Sequence, residues 1–161
     1  MTRISIVGAS GYTGLELVRI LLRHPAVELA HLAVREPAGQ RFSDLFPALR
    51  GLCDLPLSGL DVEAIAQGSD LIFFGLPHTS SMGWVPRFMQ RGIKLIDLSA
   101  DYRLDRADLY RTAYGCEHRQ PEALEQFVYG LPEFNRSRIA ASAAVANPGC
   151  FPTSVELALL P

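Results

Sequence analysis

The sequence predicts an α/β fold with a doubly wound, mostly parallel sheet, and three observations predict it. Short apolar runs of strand length alternate with segments of helical period. The first run leads straight into a glycine-spaced turn and then a helix, a strand, turn, helix, strand unit that implies a parallel pair with a right-handed crossover. Polar clusters then recur at the carboxyl ends of the apolar runs, the edge where open α/β sheets bind ligands.

Taken in order, Arg3 to Val7 is a short buried strand. Gly8, Gly11 and Gly14 follow it with the spacing G-x-x-G-x-x-G, a variant of the dinucleotide fingerprint of Rossmann-type sheets. In that fingerprint the first glycine allows the tight turn, the second lets a pyrophosphate approach, and the third lets helix and strand pack closely. Leu15 to Arg23 is a helix with Leu15, Val18 and Leu22 on one face, ended by His24-Pro25. Val27 to Val34 is the second strand, and Glu36 to Asp61 a long Gly- and Pro-containing excursion with one edge strand. Val62 to Gln67 is a short helix, and Asp70 to Gly75 a buried strand of the parallel type. Ser81 to Arg91 is a helix with Val85, Phe88 and Met89 on its apolar side and Trp84 as a packing residue. Ile93 to Leu98 is the next strand, Asp105 to Arg119 is helical in part, and Phe127 to Tyr129 is a further strand. Arg138 to Ala144 links into the small apolar run Ala143 to Ala146, which reads as a buried strand.

Composition narrows the function classes. Nearly half of the 161 residues are hydrophobic, enough for a substantial core, and a net charge of −2 gives no electrostatic case for nucleic acid or an anionic membrane. The N-terminal stretch lacks a signal-peptide pattern and no apolar segment reaches the length of a membrane span. Three irregularly spaced cysteines suit neither a disulfide framework nor a zinc site, so no metal is expected and a reducing cytoplasm fits best. Glu156 to Leu160 reads as a helix only just begun, which leads us to expect a partial chain, with residues 1–146 as a dinucleotide-binding domain and 147–161 as the start of a catalytic domain.

Two sites stand out. The loop from Gly8 to Gly14, with Ser10, Tyr12 and Thr13 on it, is the cofactor-binding candidate, Ser10 and Thr13 offering hydroxyls beside the N–H groups of a helix N-terminus. At the end of the second strand Arg35 precedes Glu36. An arginine there accommodates a 2′-phosphate, which favours NADP with Arg41 assisting, against a solvated Arg35–Glu36 pair. Pro77 and His78, at the carboxyl end of the Asp70 to Gly75 strand, flank the cofactor, and no catalytic role is assigned to His78. The second site is Asn147-Pro148-Gly149-Cys150-Phe151-Pro152-Thr153. A tight turn sets one thiol between a buried strand and a helix whose start carries the capping-box spacing Thr153-x-x-Glu156. A helix N-terminus favours a thiolate, so Cys150 is the candidate nucleophile, while Cys53 and Cys116 read as small apolar filler.

The chain resembles the N-acetyl-γ-glutamyl-phosphate reductases of the semialdehyde dehydrogenase superfamily, through Gly8 to Glu16, Asp97-Leu98-Ser99-Ala100-Asp101-Tyr102-Arg103-Leu104, Tyr129-Gly130-Leu131-Pro132-Glu133-Phe134-Asn135-Arg136 and Asn147 to Thr153. It departs from them at Phe151 and Tyr102, where Tyr and Phe are usual, and at His78-Thr79-Ser80, where a His-Gly pair is common. The resemblance implies NADPH-dependent reduction of a small acyl phosphate to a semialdehyde in arginine biosynthesis. Cys150 would attack the acyl carbon and expel phosphate to give a thioester, which hydride then reduces. It also implies a homo-oligomer at full length, a further domain carrying the general base, and a 161-residue chain inactive by itself. The runners-up are an aminoadipyl-phosphate or aspartyl-phosphate semialdehyde dehydrogenase, and a chain that only binds NADP.

Overall fold

The computed structural model describes residues 1–36 and 38–160; Pro37, within the excursion after the second strand, and Pro161 lie outside the described residues. Seven strands, β1 (Thr2–Val7), β2 (Val27–Ala33), β3 (Leu57–Ser58), β4 (Leu71–Phe74), β5 (Lys94–Asp97), β6 (Val128–Tyr129) and β7 (Ala144–Ala146), form one sheet. Its order is β3-β2-β1-β4-β5-β7-β6, and every strand pair in it is parallel. The chain winds outward from β1 through β2 to β3 and then returns to β4 on the other side of β1. The order therefore reverses between β1 and β4, and a crevice opens there beyond the carboxyl ends of both strands.

Strand alternation divides the apolar residues between two cores. Ile4 and Ile6 of β1, with Leu32 of β2, face Val18 and Leu21 of α1 (Tyr12–Leu21) and Phe42 of α2 (Phe42–Leu45). Val7, Ile72, Phe74 and Leu95 face Val62 and Ile65 of α3 (Val62–Gly68) and Val85 and Phe88 of α4 (Val85–Met89). The sheet is thus covered on both sides, which is why its central strands read as apolar runs. The remaining helices are α5 (Ala107–Tyr114), α6 (Pro132–Ala141) and α7 (Cys150–Leu159).

Several boundaries differ from the sequence reading for local reasons. Helix α1 starts at Tyr12 rather than Leu15, because extended Gly11 caps it and accepts the Leu15 N–H at 2.9 Å; Leu22, expected on its buried face, is the 39% exposed C-cap, and Leu21 is buried instead. The helix expected over 81–91 divides into a 3-10 turn at Ser81–Gly83 and α4, since Pro86 has no N–H to continue a single ladder. Helix α5 ends at Gly115, whose φ of 71° supplies the left-handed cap. The link read over 138–144 is mostly helix α6, begun by Pro132 and kinked at Asn135, whose side-chain amide donates to the Tyr129 carbonyl at 3.0 Å.

Helix α7 also starts earlier than its capping pattern implied. Gly149 is the N-cap, and Thr153 and Ser154 turn their hydroxyls back to the carbonyls of Gly149 and Cys150, each at 2.9 Å. Thr153 therefore caps nothing, and Cys150 is the first helical residue. No residue of α7 is buried, and Phe151, Val155 and Leu159 are exposed.

Candidate functional site

The glycine loop crosses the top of the β1/β4 crevice. Gly8 has φ +92°, and a Cβ there would stand 2.5 Å from the carbonyl oxygen of Gly75, at the end of β4. Gly14 lies deeper: its Cβ would meet Ala9 Cα, Ala9 O and Gly8 O, each at 2.6 Å, so helix α1 rests directly on the loop. Gly11 has an ordinary φ of −82° and its Cβ would meet only the Gly8 carbonyl oxygen, at 3.7 Å. With no side chain capping α1, the N–H groups of its first turn are left for a ligand.

In front of this loop lies a cavity of about 750 Å³. Of the residues picked out by sequence, Gly8, Ser10, Gly11, Thr13, Arg35 and Pro77 line it. Gly14 is buried behind the loop as a packing glycine, and the Tyr12 side chain is 91% exposed and does not line the cavity. His78 does not line it either: its Nδ1 lies 2.9 Å from Asp101 Oδ1, and its ring packs against Tyr110 and Tyr114. Sequence reading missed Thr79, Ser80, Trp84 and Arg119, which line the cavity wall together with Leu60, Gly75, Leu76 and Gly83. Trp84, expected only to pack, does so with Arg87 over its ring at 5.0 Å, and also faces the cavity.

The cluster from Asp97 to Arg103 is what holds that wall in place. Asp101, fully buried, accepts from the Thr79 N–H at 2.8 Å, the Met82 N–H at 3.3 Å and the Tyr110 hydroxyl at 3.3 Å. One carboxylate thus fixes the turn after β4, including Thr79 at its unusual φ of 68°. Asp97, also fully buried, accepts from the Ser81 hydroxyl at 2.8 Å and the Ser99 hydroxyl at 2.6 Å, tying β5 to the same turn.

Burial pushes the Asp97 carboxyl up to about 6, against the pull of the Ser99 and Ser81 donors. The folded value lies above the unfolded one, so between about pH 4 and pH 6 the native protein holds a proton that the unfolded chain has released, and stability falls as pH rises through that window. Asp97→Asn, which can keep both serine contacts, is expected to remove about 1–3 kcal/mol of this pH-dependent loss, measured by urea unfolding at about pH 4.5 and pH 7. An unchanged slope would mean that Asp97 titrates as an ordinary carboxylate.

Cys150 is set by the far side of the sheet. Strand β7 lies between β5 and β6, and the Asn147 N–H extends its ladder by donating to the Asp97 carbonyl at 2.7 Å. Arg103 then clamps the turn, with Nε donating to Asn147 O and Nη2 to Leu98 O, both at 2.9 Å. Gly149 stands close under this clamp, and a Cβ there would lie 3.0 Å from Arg103 Nη1, so the guanidinium would have to give by a few tenths of an ångström. The Cys150 thiol is exposed at the N-terminus of α7, and the Tyr129 hydroxyl holds that helix by donating to Glu156 at 3.0 and 3.2 Å. Cys53 is buried, and burial pushes its thiol up; Cys116 is half-buried. Among the described residues no cluster of three metal-ligating side chains occurs, and no helix is long and apolar enough to cross a membrane.

A family model described as the semialdehyde dehydrogenase, NAD binding domain, matches residues 3–142, a stretch that ends short of Cys150. The chain is 49% identical over all 161 residues to an N-acetyl-gamma-glutamyl-phosphate reductase of Citrifermentans bemidjiense, and 46% identical to one of Acinetobacter baylyi. It covers 46% of each, so the chain spans about half the length of the curated relatives it matches. Among solved structures, aspartate semialdehyde dehydrogenase II from Vibrio cholerae superposes with a TM-score of 0.66 at 21% identity, over 99% of this chain and 41% of that one. The Candida albicans aspartate semialdehyde dehydrogenase solved with NADP gives 0.58 at 20% identity, over 66% and 32%. At such identities these structures speak for the fold alone.

Proposed function

This chain belongs to the semialdehyde dehydrogenase family through its NAD-binding domain, and from that premise we propose that it is the NADP-binding, nucleophile-bearing portion of an N-acetyl-γ-glutamyl-phosphate reductase. Residues 1–146 form the dinucleotide-binding domain, and the catalytic domain begins at the turn after β7. The observation that carries the reading is an exposed thiol at the first position of a helix, on the same carboxyl edge of the sheet as the glycine loop.

The chain's own residues divide the work. Cys150 as thiolate attacks the γ-acyl carbon of N-acetyl-γ-glutamyl phosphate, and the C–O bond breaks with its electron pair leaving on phosphate, which forms a thioester. The N–H groups at the start of α7, left uncapped by any side chain, are the donors for the oxyanion that develops on the acyl oxygen. Arg103 keeps the turn rigid through its two carbonyl contacts, so that the thiol meets the acyl carbon in one geometry. The Gly8 to Gly14 loop would hold the pyrophosphate of a reduced nicotinamide dinucleotide, which when bound would supply the hydride that takes the thioester to the oxidation level of the aldehyde. Release of N-acetylglutamate semialdehyde then returns the thiolate. The reading places the enzyme in the cytoplasm as a homo-oligomer, and the exposed Phe151, Val155 and Leu159 offer apolar surface for further protein to cover.

The cavity's charges support NADP over NAD. Among the described residues two arginines, Arg35 and Arg119, line it and no carboxylate does; Glu36, adjacent to Arg35, is not part of the wall. Arg35→Ala is expected to weaken NADPH binding by about 10- to 100-fold, the loss of one charged hydrogen bond, and NADH binding by less than about twofold. Trp84, the single tryptophan, lines the cavity and serves as the fluorescence reporter for both titrations. Equal losses for the two cofactors would refute the phosphate role of Arg35.

A further inference from the structure

No motif includes Arg119, and its place in the cavity comes entirely from tertiary anchoring. Its main-chain N–H donates to Met82 Sδ at 3.3 Å. The preceding His118 is buried, edge-on to the rings of Tyr102 and Tyr110 at 5.1 and 5.0 Å, and takes the Gln120 N–H on its Nδ1 at 3.1 Å. The Gln120 side chain in turn accepts the Tyr102 hydroxyl at 3.4 Å. Both neighbours of Arg119 are therefore pinned to the network that fixes the β4 turn, while Arg119 itself lines the cavity and its side chain makes no hydrogen bond or ion pair among the described residues. An arginine held this firmly at its base and unpaired at its tip leaves a guanidinium available to a ligand.

The two arginines come from different walls. Arg35 follows β2, the strand end that meets the adenine ribose in sheets of this order, whereas Arg119 shares its wall with Ser80, Gly83 and Trp84 beyond β4. Trp84, Leu60 and Leu76, which line the same cavity, supply flat and apolar surface, and a planar guanidinium beside such surface suits a purine ring.

We propose that Arg119 binds the adenosine portion of the dinucleotide by stacking its guanidinium on the adenine, a contact common to NADP and NAD, while Arg35 alone reads the 2′-phosphate. The assignment rests on the cofactor reading above, and the two fail separately. Trp84 fluorescence titrations of wild type, Arg119→Ala and Arg119→Met with NADPH, NADH and 5′-AMP test it. Both variants are expected to weaken all three ligands by a common factor of about 5- to 30-fold, with an unchanged melting temperature because the side chain holds nothing else. A loss confined to NADPH, or no loss at all in variants that still melt like wild type, overturns the assignment to adenosine. Wild-type protein that binds neither dinucleotide would instead sink the cofactor reading itself.

Discussion

Cys150→Ala, in an enzyme of the relatives' length built on this chain, is expected to lower turnover by about a thousandfold or more and to leave NADPH affinity within about twofold. The two effects separate because the thiol is exposed at the start of α7 and does not line the cofactor cavity, so its removal opens no core and touches no cofactor contact. Cys150→Ser should be equally inactive, since a hydroxyl at the same position lacks the acidity that makes a thiol a usable nucleophile without a strong base. Steady-state rates and Trp84 titrations on the same preparations check both halves. Loss of cofactor binding together with turnover would make Cys150 a structural residue.

The second large effect concerns the glycine loop, where Gly8 and Gly14 should respond in one way and Gly11 in another. Gly8→Ala forces a Cβ into a φ of +92° and against the Gly75 backbone, and Gly14→Ala drives one into three backbone atoms at 2.6 Å. None of these neighbours is a flexible side chain that could swing aside. Each substitution is expected to cost about 2–4 kcal/mol of stability, read by urea unfolding, and to abolish NADPH binding where the protein still folds. Gly11→Ala meets no close atom and should cost less than about 1 kcal/mol, yet still weaken NADPH by about tenfold or more, because its new methyl occupies the surface a pyrophosphate would touch. Unaltered NADPH affinity in Gly11→Ala would remove the pyrophosphate from that part of the loop.

Those glycines were legible in the sequence because their chemistry is local: a strand, a turn needing positive φ and a helix follow one another within a few residues. The same holds for Cys150, where the buried strand Ala144–Ala146 and the turn at Pro148-Gly149 announce a helix start, although the pattern pointed to Thr153 as cap and the backbone chose Gly149. Arg119, Trp84 and Ser80 carried no such signal. They share a cavity with Gly8 only because the chain leaves β1, builds β2 and β3, and returns to β4 on its other side, which joins residues far apart in sequence.

His78 lies outside the cavity lining for a related reason. Its position after β4 was read correctly, but the direction of its side chain depends on Asp101, a carboxylate 23 residues away that no periodicity links to it. The cluster Asp97 to Arg103 read as part of a binding edge, whereas its buried groups act on the backbone: Asp101 and Asp97 brace the cofactor turn and Arg103 braces the thiol turn. One short segment thus supports both sites, the cofactor wall through its carboxylates and the nucleophile through its guanidinium.

The central claim, that Cys150 takes the acyl group of N-acetyl-γ-glutamyl phosphate, is tested most directly by trapping that group on the protein. Enzyme of the relatives' length is mixed with N-acetyl-γ-glutamyl phosphate without NADPH, quenched in acid to preserve thioesters, digested and analysed by mass spectrometry, with β-aspartyl phosphate and aminoadipyl phosphate in parallel. The expected result is an N-acetylglutamyl thioester confined to the peptide containing Cys150, lost on addition of NADPH as the semialdehyde appears, and scarcely any adduct from the other two acyl phosphates. An acyl group on another residue, or preferential labelling by either competing acyl phosphate, would contradict it.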